Sequence, residues 1–273
     1  IPATNTLSLS SGVKADELIG QTESTDPIRG EHVVTAIAME PEPDGNDKAD
    51  DGKATAGGNA QATLPPLAIG TRAGVVKRWN REAPTTMDSW PVIDLKDGDE
   101  IVFAAPARDE DRLVFVSTDS SLLTFEAKNV RPQGRTAGGM AGIRLADGCK
   151  VAAFNVVPAA EVAWTYEEGE NGLTSASGAV VLTVAGDSDA LPGTENGAAK
   201  VTPLEMYPTK GRATGGVHSQ RFLKGQDTLI FAWVGAYPVH ASTEAGSPVE
   251  LPEPDMRRDG SGTELDSPIS FAG

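Results

Sequence analysis

Two seven-residue segments carry the residue types best suited to holding an anion: Gly134-Arg135-Thr136-Ala137-Gly138-Gly139-Met140 and Gly211-Arg212-Ala213-Thr214-Gly215-Gly216-Val217. Glycine lets backbone N–H groups come close to a phosphate, and an arginine can fork onto its oxygens. The flanking cations Lys128, Arg131, Lys210 and Arg221, with a second group formed by Arg72, Lys77, Arg78 and Arg81, extend this candidate site. Donors of this kind suit a ligand recognised through its phosphates rather than through base edges. The competing reading is that they are solvated strand edges, where charge blocks edge-to-edge association.

Other chemistries find less support. His32, His218 and His240 are far apart and lack ligand spacing with the single cysteine, Cys149, so no metal centre is expected. Asp44, Asp47, Asp50 and Asp51 lack the glycine and terminal glutamate of a calcium loop, and no phosphate-cleaving loop with its Lys-Ser/Thr is present. Tyr166, Tyr207 and Tyr237 lie in strand or turn contexts and receive no nucleophilic role, and no hydrolytic triad or carboxylate dyad stands out. The residues point to a chain that is not an enzyme by itself and needs no cofactor. Trp79, Trp90, Trp164, Trp233, Phe103, Phe154 and Phe231 fall in or beside apolar runs, which favours core packing over base stacking.

The elements that must position these residues are short strands. Apolar runs at 33–38, 67–69, 75–79, 101–104, 113–116, 122–125, 151–157, 179–184 and 229–234 are rich in Val, Ile, Phe and Trp and bounded by Gly, Asp, Asn and Pro. No long 3.6-residue period is present; 14–19 and 203–207 allow a helical turn or two at most. The expected class is all-β. A glycine turn opening a strand recurs at Gly30, Gly98, Gly148 and Gly225, and each of the two Gly-Arg segments begins 14 residues before such a turn. Once polar insertions are removed the unit is roughly 45 residues, the size of a four-stranded blade. Four to five such blades, closed into a propeller-like disc, are expected.

Charge is distributed unevenly. The formal net charge is −16, but 40–53, 161–195 and 244–266 hold six, seven and seven acids against two, no and two basic residues, which leaves the remainder neutral. Residues 1–40 read as a first, partial blade, 41–66 as a disordered acidic insertion, 67–243 as repeated blades with an insertion near 185–199, and 244–273 as an acidic tail or closing segment. No run approaches the length needed to span a bilayer, and the opening residues lack the pattern of a signal peptide, so a cytoplasmic chain is expected.

The hairpin Gly70-Thr-Arg-Ala-Gly-Val-Val-Lys-Arg78, the Gly-Arg-x-x-Gly-Gly segments and the Leu-x-x-Gly-Asp-x-Val/Leu-Ile-Phe-Ala strand, repeated in one order, resemble the C-terminal domain of the A subunit of bacterial type IIA topoisomerases, DNA gyrase and topoisomerase IV. The resemblance implies a β-pinwheel that binds duplex DNA on a basic rim without catalysing a reaction itself. It also implies two partners near the nucleoid: the catalytic core of that same A subunit, and the ATPase B subunit of an A2B2 assembly. On this reading the ten cations named above are the DNA contacts. The positions matching the gyrase box Gln-Arg-Arg-Gly-Gly-Lys-Gly read Arg131-Pro-Gln-Gly-Arg-Thr-Ala-Gly-Gly139 and Pro208-Thr-Lys-Gly-Arg-Ala-Thr-Gly-Gly216, so the chain looks more like the topoisomerase IV version. The alternative is an interaction propeller that binds protein and no DNA; a glycan-binding propeller is disfavoured by an aromatic content of only 5%.

Overall fold

The computed structural model describes residues 35, 64–81, 90–168, 174–191 and 193–273. The chain divides into two compact units, Ile1–Ala54 and Thr55–Gly273. All described residues except Thr35 belong to the second unit. Apart from Thr35, the readings made for 33–38, Gly30, His32, the partial first blade and most of the acidic insertion, 41–63, lie outside the described residues.

The second unit is all-β, with three single 3-10 turns and no α-helix among the described residues. Its first sheet joins the hairpin β1 (Leu67–Thr71) and β2 (Val75–Trp79) to β3 (Ile101–Pro106) on the β1 side. The second joins β4 (Arg112–Ser117) and β5 (Ser121–Glu126) to β8 (Val151–Val157) in the same way. In the third, β11 (Ala179–Gly186) pairs with β12 (Ala198–Pro203) on one side and with β14 (Thr228–Ala236) on the other. The fourth is built from β15 (Ala241–Ser242), β16 (Pro248–Val249) and β18 (Phe271–Ala272). A small ribbon, β9 (Thr165–Glu168) with β10 (Thr174–Ser177), precedes the third hairpin.

Each of the first three sheets receives its outer strand from the following unit. β6 (Pro132–Gln133) and β7 (Met140–Ala141) pair with β2, β13 (Val217–His218) pairs with β5, and β17 (Thr263–Glu264) pairs with β12. The chain thus leaves its own hairpin, crosses to the preceding sheet, and returns through a turn to complete its own. Gly98, Gly148 and Gly225 make that return possible. Each occupies the third position of a turn closed by a backbone bond, Asp99 N to Lys96 O, Cys149 N to Ala146 O and Gln226 N to Leu223 O, and each has φ between 77° and 88°. A side chain is strained there, which is why the glycine recurs.

Successive sheets pack face to face, and strand alternation decides which neighbour each residue meets. Leu113, Phe115, Leu123 and Phe125 join Ala68 and Val76 of the first sheet. Val114, Val116 and Leu122 face Val181, Ala185 and Val234 of the third. Val180, Leu182, Val184, Ala199 and Val201 then meet Ala241, Val249 and Leu265. Both faces of the middle sheets are therefore buried, which explains why their strands are unbroken apolar runs rather than alternating ones. Residues 244–273 cover the last of these faces. The turn-rich segment 185–199 contains the end of β11, a loop tied by Asp187 N to the Glu195 carboxylate at 2.8 Å, and the start of β12.

Candidate functional site

The Gly-Arg-x-x-Gly-Gly segments are the crossings between sheets. Gly139 and Gly216 have φ of 82° and 74°, and a Cβ would lie 2.8 Å from Val76 O in the first case and 2.3 Å from Leu122 O in the second. The second glycine of each pair is therefore required by close approach to the preceding sheet's strand, a different physical reason from the approach to phosphate expected of it. Backbone N–H groups close the gaps between segments. Asp94 N bonds Ala137 O, Arg144 N bonds Thr214 O at 3.0 Å, and Arg221 N bonds Gly260 O at 2.9 Å, so consecutive crossings are linked edge to edge by their backbones.

This register exposes a third crossing. β7, β13 and β17 begin one residue after Gly139, Gly216 and Gly262, and in each case the residue four before the glycine is an arginine: Arg135, Arg212 and Arg258. All three are half-exposed. The residue seven before the glycine also meets the same point of the hairpin, as Pro132 against Arg78, Thr209 against Thr124, and Asp255 N bonded to Val201 O at 2.8 Å. Sequence reasoning missed Arg258 because the third copy, Arg258-Asp-Gly-Ser-Gly262, shifts one glycine and sits in an acidic stretch. The signal was the spacing from arginine to the last glycine, four residues in every copy. Arg144, the exposed counterpart of Arg221 five residues after the glycine, was also missed, because it lies beyond the Gly-Arg-x-x-Gly-Gly segment itself.

The ten cations singled out from sequence divide into two groups. Arg131 and Arg221 are exposed, and Arg135 is half-exposed. Arg212 is half-exposed and donates to Ala141 O of the neighbouring crossing. Lys210 is exposed and donates to Gly216 O at 3.0 Å. Lys128 is exposed and pairs with Glu126, whose carboxyl it holds below the usual range. Arg72 is half-exposed, with one nitrogen 3.0 Å from Val151 O and another 3.8 Å from Glu100.

Lys77, Arg78 and Arg81 differ from the expectation, because the structure buries them. Arg78 directs its guanidinium to Ala127 O at 3.0 Å, Val130 O at 3.2 Å, Ala107 O at 3.1 Å and the Asp109 carboxylate at 2.7 Å. Two of these carbonyls bracket a 3-10 turn, Ala127–Asn129, at its first residue and just after its last. Lys77 donates to Arg135 O at 2.8 Å and Ala137 O at 2.6 Å, and burial lowers its pKa against the pull of Asp94. A hairpin strand with both faces covered leaves such side chains no route to a ligand on the rim. Of the aromatic residues singled out, Trp79, Phe154 and Trp164 are buried, and Phe154 packs on Phe115 with centroids 4.6 Å apart. Among the described residues no group of three His, Cys, Asp or Glu could hold a metal ion, and no helix is long and apolar enough to cross a membrane.

A family model described as the DNA gyrase C-terminal domain, beta-propeller, matches residues 91–108, 111–158 and 193–232. The DNA gyrase A protein of Salmonella typhimurium is 31% identical over 140 residues, which are 51% of this chain and 13% of that protein. Its counterpart from Mycobacterium bovis is 26% identical over 247 residues, 87% of this chain and 25% of that protein. The chain thus spans a quarter or less of these curated relatives. Among solved structures, the C-terminal domain of DNA topoisomerase IV superposes with a TM-score of 0.59 at 16% identity, covering 79% of this chain and 63% of that one. The DNA gyrase A C-terminal domain superposes with a TM-score of 0.55 at 16% identity, covering 77% and 65%. The structural likeness is one of fold, and it is the fold expected from the repeats.

Proposed function

We propose, from a resemblance to the C-terminal domain of type IIA topoisomerase A subunits that holds in sequence and in fold, that this chain binds duplex DNA along its crossing segments. It would do so as the non-catalytic part of such a protein, presenting DNA to the catalytic core of the same polypeptide in an assembly with the ATPase B subunit. The observation that carries this reading is the linked row of crossings, each with a half-exposed arginine at one position, Arg135, Arg212 and Arg258. Exposed Arg131, Lys210 and Arg221 flank the row. Cations repeated at the spacing of the fold suit a ligand that is itself a repeating polyanion, and they read no base sequence.

The net charge of −16 does not oppose this, because long-range repulsion is screened over roughly 8–10 Å at physiological salt. Phosphate contacts by the crossing cations release counterions, which gives a steep salt dependence. Binding of unrelated 40-base-pair duplexes, followed by fluorescence anisotropy at several salt concentrations, is expected to give similar affinities that fall together as salt rises. No binding at low salt, or a strong preference for one duplex, contradicts the proposal. Because no Gln-Arg-Arg-Gly-Gly-Lys-Gly box occurs in this chain, we assign it the topoisomerase IV-like manner of binding, in which strong positive supercoils are not constrained. One observation favours the second reading, a protein-binding propeller: the ribbon β9–β10 carries a Tyr166 that is 63% exposed. Retention of a protein partner by a chain that shifts no DNA would establish that alternative.

A further inference from the structure

Two lysines are buried in hairpin strands, and neither reaches the rim. β2 pairs Val76 with Met140, and β12 pairs Ala199 with Thr263, so Lys77 and Lys200 each follow the residue opposite the first position of a crossing strand. They are the same residue of the repeat. Both donate to the backbone carbonyl of the crossing arginine. Lys77 Nζ lies 2.8 Å from Arg135 O and 2.6 Å from Ala137 O. Lys200 Nζ lies 3.2 Å from Arg258 O and 3.3 Å from Ser219 O, and also bonds Thr202 Oγ1. An ammonium has three donors and no acceptor, and Lys200 finds three acceptors.

The second sheet supplies an internal control. There β5 pairs Leu122 with Val217, which puts Leu123 at the position of the lysines, fully buried. The fold therefore accepts an apolar side chain at this point, and burying a cation there carries a desolvation cost that leucine avoids. What the lysine adds is a grip on the crossing backbone. The crossing over Leu123 is tied from its own side instead, by Lys210 to Gly216 O and by Thr214 to Gly211 O at 2.9 Å.

We propose that Lys77 and Lys200 are positioning residues that pin the backbone of Arg135 and Arg258, so that two of the three rim arginines are presented from fixed points. The consequence for DNA rests on the function proposed above; the pinning itself does not. Lys200 faces Asp255, Arg257, Arg258 and Asp259 of the crossing, and shares the acceptor Ser219 O with the hydroxyl of Tyr207 from the turn that follows its strand. Desolvation lowers its pKa to about 8, with Asp255 and Asp259 opposing and Arg257 reinforcing the shift. When the crossing lifts away, the ammonium regains water and a pKa near the ordinary value of about 10.4. Between about pH 8 and 10 the docked state then binds fewer protons than the lifted one, so docking is favoured progressively as pH rises through that window and is pH-independent below it.

The test is native-state hydrogen exchange of residues 255–262, corrected for intrinsic rates, beside the tryptic cutting rate after Arg257 and Arg258. In the unaltered chain the opening equilibrium is expected to fall by about tenfold or more between pH 8 and 10. In Lys200→Leu opening and cutting are expected to increase about tenfold at pH 9, where the amine of the unaltered chain keeps its bonds without the cost of burying a charge, with exchange in β4, β5 and β8 unchanged and the pH dependence gone. Unchanged opening in the variant, or a flat profile in the unaltered chain, overturns the proposal, and the latter decides it even if the variant folds poorly. For DNA, Lys200→Leu is expected to add nothing to Arg258→Ala, whereas additive losses overturn the positioning role. If Arg258→Ala leaves DNA affinity unchanged, it is the DNA reading of that arginine that fails, and the exchange data still decide the grip.

Discussion

Glycine and arginine share the crossing segments but answer to different constraints. Gly148 and Gly216 both have positive φ, at 77° and 74°, yet a Cβ on Gly148 meets nothing within 4 Å while one on Gly216 lies 2.3 Å from Leu122 O. Gly148→Ala is therefore expected to cost about 1–2 kcal/mol, the strain of a left-handed residue. Gly216→Ala adds a backbone clash and is expected to cost about 3 kcal/mol or more. Urea unfolding of the two variants checks this, and equal losses would contradict the crossing geometry. The arginines are legible as residue types, and Arg135 and Arg212 do occupy equivalent, half-exposed positions in their crossings. Arg258 is not legible, because Asp255 and Asp259 beside it make the stretch read as solvated acid. Lys77 and Arg78 mislead for the converse reason: a Lys-Arg pair inside Val75–Trp79 looks like an exposed edge until both faces of the strand are known to be covered.

At the scale of elements, legibility follows the amount of apolar surface each strand buries. Runs such as 113–116, 151–157 and 179–184 stand out because neighbours cover them on both faces. The crossing strands β7, β13 and β17 are two residues long, too short to carry a pattern of their own, although Met140 and Val217 pack against the core. β12 hides at the end of an apparent insertion because Ala198-Ala199-Lys200 lacks large apolar side chains, although every one of its residues is buried. Residues 244–273 look loose for want of long runs, but Val249 and Leu265 pack against Val180, Leu182 and Val201. Ending the chain at residue 248 removes β17 and β18 and uncovers that face. Such a chain is expected to melt several degrees lower, with exchange accelerated in β11 and β12 before β4 and β5, as followed by calorimetry and hydrogen exchange. An unchanged melting temperature would show that the fourth sheet contributes no stability.

For the whole molecule, net charge is a poor guide to the ligand, and the placement of cations on a repeated backbone is a better one. The repeat is readable from the spacing of its glycines and the all-β class from short apolar runs; that the Gly-Arg segments are crossings, and which cations face outward, is not, because both depend on how sheets stack. Whether Arg135, Arg212 and Arg258 together form the DNA-contacting row is tested most directly by the salt dependence of duplex affinity for the triple alanine variant. Each phosphate contact contributes roughly 0.9 to the slope of log K against log salt. Loss of three such contacts is expected to make the slope shallower by about 2.7 while thermal stability is retained. A slope unchanged from that of the unaltered chain, in a variant that remains folded, would contradict a DNA-contacting row built on these three arginines.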